Sequence, residues 1–325
     1  MKRAHKALLR GFIGLALLGV VVALADPSRV LAQWRQAHPG WLAAGLLAAI
    51  ASNFVSALRW RALAGWLGAS ASMRDAGRWY FQGIGLNALL PGAVVGGDVY
   101  RAVMLGRASG HTLAASWSVA LDRVSGLWML CAISGFGAAA CAPTLAPVLA
   151  RVLPLSSGAL AGGCVAATAL WLLLPWGLLA WLRRTGSAGV PRWLGPLARA
   201  AQQTDFGRQL AVQMLASTLV QALSGLALAL GALALGVYLP VSAWAFAITP
   251  IFLMATLPVS VGGWGTREAA AVAALALFGV APAAAVGVGM IYGVYGLAQG
   301  LLGALAFGVG GVEKPNPGAE ANERL

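Results

Sequence analysis

The sequence predicts an all-α polytopic integral membrane protein, and three observations lead to this prediction. Of its 325 residues, 60% are hydrophobic and only 10% are charged, whereas a soluble domain carries roughly 25% charged residues. Long apolar runs recur along the chain, and most approach the ~20 residues that a spanning helix needs. Two further apolar stretches are interrupted by proline and glycine, so neither can be an unbroken helix. We expect about six full spans and two re-entrant, broken-helix hairpins, readable as eight hydrophobic helices.

The six predicted spans are the long apolar runs at about 12–25, 41–58, 112–141, 158–182, 209–237 and 282–309. Arginines cluster in two segments between these runs, one from Arg59 to Arg78 and the other from Arg183 to Arg208. Because cytoplasmic loops are enriched in Lys and Arg, we expect both segments and the basic N-terminus to be cytoplasmic, in a cell (inner) membrane. Most tryptophans, Trp60 among them, lie near span ends, as in interfacial belts.

The net charge of +13 is explained by this loop pattern and by attraction to anionic lipid headgroups, so nucleic acid is not an expected partner. The first apolar run has features of a cleaved signal peptide, because basic residues precede it and Ala23-Leu24-Ala25 resembles a signal-peptidase site. We expect a retained span, with cleavage as the alternative. We also expect one membrane domain over residues 1–311, and a polar, disordered and cytoplasmic tail over 312–325.

The first hairpin is predicted over residues 79–107. Between the two basic segments the chain must cross the membrane an even number of times, and runs 112–141 and 158–182 already provide two crossings. Residues 79–107 must therefore return to the side from which they came. A re-entrant hairpin broken at Pro91 and at Gly96-Gly97 satisfies this requirement, as would two closely packed half-length spans.

A repeated motif predicts the second hairpin. Residues 90–101 read LPGAVVGGDVYR and residues 257–268 read LPVSVGGWGTRE. The shift that superposes the two motifs also places spans of the first half on spans of the second half. We therefore expect two repeats, at about 8–141 and 158–309, with the second inverted and its hairpin, about 243–279, broken at Pro258. Paired Gly/Pro-interrupted segments of this kind indicate a substrate site near the bilayer midplane.

Three of the acidic residues fall within membrane segments, namely Asp98, Asp122 and Glu268. An ionisable side chain at the centre of a spanning helix costs about 2.5–3.5 kcal/mol on insertion scales. Each carboxylate has an arginine nearby in the sequence, so a purely structural role, in which each pair neutralises itself and fixes a hairpin to the bundle, is the alternative to a role in binding.

The spacing of these pairs differs. Asp98 and Arg101 are three residues apart and can pair on one helix face. In Asp122/Arg123 and Arg267/Glu268 the two residues are adjacent and point to different faces, so at least one member of each pair needs another partner. This leaves Arg123 and Arg267 as candidates for binding an anion, because a guanidinium stays charged and binds phosphate in a bidentate manner.

Backbone groups add to the candidate anion site. Consecutive glycines and the N-termini of helices that restart after them can present N–H groups to an anion. Asn87 precedes Pro91 by one turn and could satisfy freed backbone groups or line a polar cavity. The predicted substrate-binding set is Arg101, Arg267, Arg123, Asp98, Glu268, Asp122, Asn87, Gly96, Gly97, Gly262, Gly263 and Gly265.

These residues also form the motifs N-x-x-x-P…GGD-x-x-R, D-R-x-x-G (from Asp122) and LP-x-S-x-GG-x-G-x-RE. Together they resemble the lysylphosphatidylglycerol synthase transmembrane region, a flippase-like family. The resemblance implies a membrane region that moves aminoacylated phosphatidylglycerol between leaflets in two-domain members, where a soluble aminoacyltransferase domain makes that lipid. For this chain we expect a stand-alone member without the soluble domain. Stand-alone relatives have been linked to varied lipids, including hopanoid and polyprenyl pathways, so the substrate does not carry over.

The expected function is that of a flippase-like protein that binds an anionic (phospho)lipid or polyprenyl-type lipid and moves it between leaflets. Membrane lipids are the expected partners, with a lipid-synthesising enzyme as a second candidate, and no cofactor or metal site is predicted. An accessory protein that presents lipid to an enzyme is the first alternative. An intramembrane lipid-modifying enzyme is the second, although the sequence contains no G-x-S-x-G or H-E-x-x-H motif. We therefore expect no enzymatic activity.

Overall fold

The computed structural model describes residues 2–89, 96–150, 152–186, 189–257 and 260–308, with only the backbone described for residues 2–11 and Leu89. Within these ranges the chain forms thirteen α-helices and no strand. In chain order they are α1 Lys2–Leu24, α2 Pro27–Arg35, α3 Pro39–Trp66, α4 Met73–Leu89, α5 Gly96–Ser109, α6 Thr112–Ala140, α7 Ala142–Leu149, α8 Ser157–Thr185, α9 Gly195–Gln202, α10 Phe206–Ala234, α11 Val241–Thr256, α12 Thr266–Ala276 and α13 Pro282–Gly308.

Five of the described helices are long and apolar enough to cross a membrane, and they are α3, α6, α8, α10 and α13. A sixth span is present if Phe12–Leu24 and α2 are counted together, although the two segments are bent by 89°. At that bend the side chain of Asp26 accepts a hydrogen bond from the backbone N–H of Ser28 and so caps α2. The prediction of an all-α polytopic membrane protein is confirmed.

Both predicted hairpins are present as pairs of shorter helices. Helices α4 and α5 pack against each other, as do α11 and α12. The first hairpin starts earlier than the predicted residue 79, because α4 begins at Met73. The hydroxyl oxygen of Ser72 accepts a hydrogen bond from the N–H of Asp75 at 3.1 Å, which caps the start of the helix. The arginines at 74 and 78 therefore lie on a helix and not in a loop.

The proposed break points are only partly visible. Pro91 and Pro258 lie outside the described residues, as does the tail 312–325. Gly96 and Gly97 are the first residues of α5 and not the break itself. In the second hairpin the break is made by glycine: Gly262, Gly263 and Gly265 have φ values of 60°, 76° and 85°. Such angles are readily adopted by glycine and rarely by other residues, so these glycines form the turn between α11 and α12.

The two halves of the chain are interleaved. Helix α3 packs along α10, the helix that the predicted repeat places opposite it. The first arm of each hairpin packs against the last span of the other half, α4 on α13 and α11 on α6. Each hairpin is thus enclosed by helices from both halves, which brings the two hairpins toward each other. The inverted orientation of the second repeat remains a prediction.

The first basic segment was expected to be a loop that includes Arg59, and Trp60 was expected to lie in an interfacial belt. Both expectations are wrong. Helix α3 continues to Trp66, so Arg59 and Trp60 lie inside it, and their relative exposures are only 5% and 1%. Trp60 donates a hydrogen bond from its indole N–H to the hydroxyl of Ser118 at 3.1 Å. It is therefore a core residue and not part of an interfacial belt, because the helix extends past the apparent end of the apolar run.

Candidate functional site

The two hairpins share one cavity of about 410 Å³. From the first hairpin it is lined by Asp98 and Arg101, and from the second by Gly262 and Arg267. The spans α3, α6 and α13 complete its walls, with Arg123 contributed by α6. Residues from the two repeated motifs, which lie more than 150 positions apart in the sequence, therefore face the same space.

Asp98 and Arg123 lie well inside the chain segments that carry them, far from one end of each helix. Asp98 lies eleven residues from the end of α5 at Ser109, and Arg123 lies eleven residues from the start of α6. At 1.5 Å per residue both positions are about 16 Å from the helix end. The hydrocarbon core is about 30 Å thick. Measured along α5 and α6, both residues thus lie about half the thickness of a hydrocarbon core from one helix end.

Asp122 is the centre of the first ion cluster. Its Oδ1 atom lies 2.8 Å from Nη2 of Arg59, and its Oδ2 atom lies 3.1 Å from Nη1 of Arg101. Arg59 also donates to the Asp122 backbone carbonyl at 2.9 Å and to the hydroxyl of Ser217 at 3.0 Å. Through these bonds Asp122 of α6 joins α3 and α5. Its side chain is only 2% exposed, and it lies behind the cavity and is not one of the wall residues.

Asp98 extends the cluster to the cavity surface. Its Oδ1 atom accepts from Nη2 of Arg101 at 2.8 Å, which confirms the predicted pairing of these two residues. Arg123 donates from Nε to Oδ2 at 2.8 Å and from Nη2 to Oδ1 at 3.0 Å. As expected from their adjacency, Asp122 and Arg123 point to different partners. Two carboxylates and three guanidiniums therefore form one continuous network.

Two aromatic rings hold the guanidinium of Arg101 in place. Its Cζ atom lies 4.6 Å from the centre of the Tyr80 ring and 5.0 Å from the centre of the Trp60 ring. Cations are attracted to the faces of such rings. Sequence reasoning missed Arg59, Trp60 and Tyr80 as site residues. A basic residue next to a tryptophan at the end of an apolar run is typical of the membrane surface, so the sequence gives no sign that Arg59 and Trp60 are buried.

The second ion cluster differs from its prediction. Arg267 and Glu268 were expected to point to different faces, yet they pair directly, with Nη2 and Nε of Arg267 at 2.6 and 3.0 Å from Oε1 of Glu268. Both residues lie in the first turn of α12, where the long arginine side chain folds back along the helix start. The guanidinium also lies 4.8 Å from the centre of the Trp264 ring. The remaining carboxylate oxygen of Glu268 accepts from the N–H of Gly265 at 2.6 Å.

Glycines on α13 make room for this cluster. A Cβ atom at Gly293 would overlap the Arg267 guanidinium and lie 2.9 Å from its Cζ atom. A Cβ atom at Gly289 would lie 3.1 Å from the Cα atom of Glu268. The close approach of α13 to α12 therefore serves a buried ion pair and not only helix packing.

Two of the backbone N–H groups that were predicted to face an anion already donate hydrogen bonds to side chains. The N–H of Gly97 donates to Oδ1 of Asn87 at 2.8 Å, so Asn87 accepts a hydrogen bond from a free backbone donor at the start of α5. Asn87 also lines the cavity, so both of its predicted roles are present. The N–H of Gly265 is likewise donated to Glu268. These two amides are therefore not available to an anion. Gly97 has a second role, because a side chain there would overlap the backbone of Gly83.

Of the predicted set, the structure brings six residues to the cavity wall: Asp98, Arg101, Arg123, Asn87, Gly262 and Arg267. Asp122 and Glu268 lie behind the wall and fix its arginines. Gly96, Gly97, Gly263 and Gly265 shape the hairpin backbones. Across both clusters, four guanidiniums and three carboxylates leave an excess of one positive charge. Among the residues that the structure describes, no three His, Cys, Asp or Glu side chains are grouped to hold a metal ion.

The fold and the cavity define the class of the molecule. It is a multi-pass, all-α membrane protein in which two helical hairpins enclose a positively charged cavity. Residues 9–303 match the family described as the lysylphosphatidylglycerol synthase TM region, and the chain belongs to that family. The match confirms the resemblance and makes this a lipid-related membrane protein. No curated protein and no solved structure matches the chain.

Proposed function

We propose that this protein binds the anionic headgroup of a membrane lipid in the cavity and moves the lipid between leaflets. The observation that supports the proposal most strongly is the convergence of Arg101, Arg123 and Arg267 on one cavity, from the two hairpins and from α6. Buried charges are costly in a bilayer and are concentrated at substrate pathways. Paired broken helices around such a site are typical of transporters with internal repeats.

The chemistry of the cavity suits a phosphate or a similar group. Guanidiniums keep their charge at all physiological pH values and bind phosphate oxygens through parallel N–H donors. The excess of one positive charge in the two clusters is compensated when a negatively charged headgroup enters. The acyl chains remain in the bilayer during this step, so only the headgroup needs a polar path. Rocking of one half of the molecule against the other would then expose the cavity to each leaflet in turn.

Catalysis is not part of this proposal. Asp98 and Glu268 were the carboxylates that could have met across the hairpins for acid/base chemistry. Each is instead bound to its own arginines, Asp98 to Arg101 and Arg123 and Glu268 to Arg267. Such committed carboxylates are better suited to hold arginines in place than to transfer protons. The proposed partners are therefore lipids, with delivery of the lipid to a separate enzyme as the second candidate role.

The test is leaflet exchange in reconstituted vesicles. The purified protein should accelerate the movement of a fluorescent phosphatidylglycerol between leaflets compared with protein-free vesicles, because the cavity offers its headgroup a charged path. A diacylglycerol probe without phosphate, added to the same vesicles, should show no protein-dependent acceleration. Equal acceleration of both probes would contradict headgroup recognition, and acceleration of neither would favour the accessory role over transport.

A further inference from the structure

The three guanidiniums at the cavity wall differ in how firmly they are held. The side chains of Arg101 and Arg267 are each 4% exposed, whereas that of Arg123 is 47% exposed. Arg101 pairs with two carboxylates and contacts two aromatic rings. Arg267 pairs with the fully buried carboxylate of Glu268, and its guanidinium lies over the ring of Trp264. Arg123 is bound to one carboxylate at the cavity surface, that of Asp98. Arg123 is therefore the guanidinium that can turn toward a ligand most easily.

The partner of Arg123 would not be left alone by such a turn. Asp98 also accepts from Nη2 of Arg101 at 2.8 Å, one helical turn away on α5. Arg101 in turn keeps its bond to Asp122. An exchange at Arg123 thus leaves every buried charge with a partner. A ligand that took Arg267 from Glu268 would instead leave a carboxylate with no exposed surface without its guanidinium, which is strongly unfavourable.

Along α6, exposed apolar side chains also lie near Arg123. Leu127 follows it by four residues on the same helix face, and its side chain is exposed, as is that of Val124. On the neighbouring α5, Val99 and Val103 are exposed one turn apart, beside Asp98. Both helices that carry the Arg123–Asp98 pair therefore expose apolar side chains close to it in the sequence. Acyl chains can lie along this surface while the headgroup reaches Arg123.

We propose that Asp98 is an internal counter-anion, which holds Arg123 in the empty cavity and releases it to the phosphate of an entering lipid. The inference rests on the proposed function and specifies how the cavity binds and releases the lipid headgroup. Carboxylate and phosphate oxygens both match the two-point geometry of a guanidinium, so one can replace the other on the same N–H groups. When the lipid leaves, Asp98 takes Arg123 back, which lowers the cost of release.

The test compares binding of dioctanoyl-phosphatidylglycerol to the purified full-length protein and to its Asp98→Asn, Arg123→Gln and doubly substituted forms. Asparagine retains an acceptor for Arg101 but binds Arg123 less strongly. If Asp98 holds Arg123 for all but about a tenth of the time, Asp98→Asn should bind the probe about tenfold more tightly. The same variant should exchange fluorescent phosphatidylglycerol between leaflets more slowly than the wild type, because release is hindered. Arg123→Gln should bind weakly, and adding Asp98→Asn to it should change nothing.

Asp205→Asn is the matched charge control, because it removes one negative charge from a residue outside the cavity. It should leave probe binding unchanged. The proposal is overturned if Asp98→Asn binds the probe no more tightly than the wild type, if the gain persists without Arg123, or if Asp205→Asn produces the same gain. Each of these results leaves the transport proposal intact as long as the wild type binds and exchanges the lipid. A wild type that does neither overturns both proposals.

A measurement on the wild type covers the case in which Asp98→Asn does not fold. In protein labelled with ¹⁵N-arginine, the Nε–H signal of Arg123 is identified by its loss in Arg123→Gln. Titration with the probe should move this signal more than those of Arg101 and Arg267, because Arg123 alone changes its partner. A signal that stays in place at saturating probe overturns the counter-anion role.

Discussion

Replacing Asp122 with alanine is expected to lower the free energy of unfolding by about 3–5 kcal/mol, the loss typical of removing one partner from a buried ion pair. The Asp122 carboxylate pairs with Arg59 and with Arg101, and all three side chains are at most 4% exposed. Without it, Arg59 retains the hydroxyl of Ser217 and a backbone carbonyl, and Arg101 retains Asp98. Arg59 would then lose its carboxylate partner, and Arg101 would keep only the carboxylate that it already shares with Arg123.

The unfolding free energy can be measured by SDS titration in mixed micelles. Asp122→Asn keeps the shape of the side chain and removes its charge, so it should show most of the same loss. Asp205→Ala is the control, because Asp205 is only partly buried and accepts a hydrogen bond from Gln209 at 2.9 Å. Its expected loss is below about 1 kcal/mol. An Asp122→Ala protein as stable as Asp205→Ala would show that the buried cluster does not hold the helices together.

Gly293→Ala is expected to reduce leaflet exchange of phosphatidylglycerol by about tenfold or more, equivalent to about 1.4 kcal/mol. The added Cβ would overlap the guanidinium of Arg267 and lie 2.9 Å from the ring of Trp264. A flexible arginine side chain can move aside, so the protein should still fold. The movement displaces the guanidinium of Arg267 from its observed position at the cavity wall. No charge is added or removed, so the effect reports on the position of Arg267.

Gly177→Ala is the matched control for this prediction. Gly177 lies within α8, and a Cβ atom there would meet no heavy atom within 4 Å. Alanine favours a helix by about 1 kcal/mol over glycine, so this variant should be at least as stable as the wild type and exchange lipid at the same rate. Equal exchange by Gly293→Ala and Gly177→Ala would mean that Arg267 need not occupy its observed position.

Much of the architecture could be predicted from the sequence, because the signals were local and repeated. Leu-Pro followed by Gly-Gly and an arginine marked both hairpins, and the scarcity of carboxylates in apolar segments marked Asp98, Asp122 and Glu268. Positive φ values at Gly262, Gly263 and Gly265 confirm that glycine breaks the second helix path. The same local signals led to Asn87, whose side chain bonds to the start of α5.

The partners within the site could not be predicted, because they depend on contacts between distant segments. Arg59 lies 63 positions from Asp122, and nothing near it in the sequence indicates burial. Tyr80 and Trp60 become site residues only when α3, α4 and α5 pack around Arg101. The pairing of Arg267 with Glu268 was missed for another reason. The rule that adjacent helical residues diverge does not prevent a long side chain in the first turn from folding back.

Native mass spectrometry of co-purified lipids would identify the headgroup that the cavity binds. We expect the wild type to carry a lipid with a negatively charged headgroup, held by the guanidiniums of the shared cavity, and we expect Gly293→Ala to lose this lipid while Gly177→Ala keeps it. Retention of the same neutral lipids by all three proteins, with no anionic lipid bound, would contradict the account.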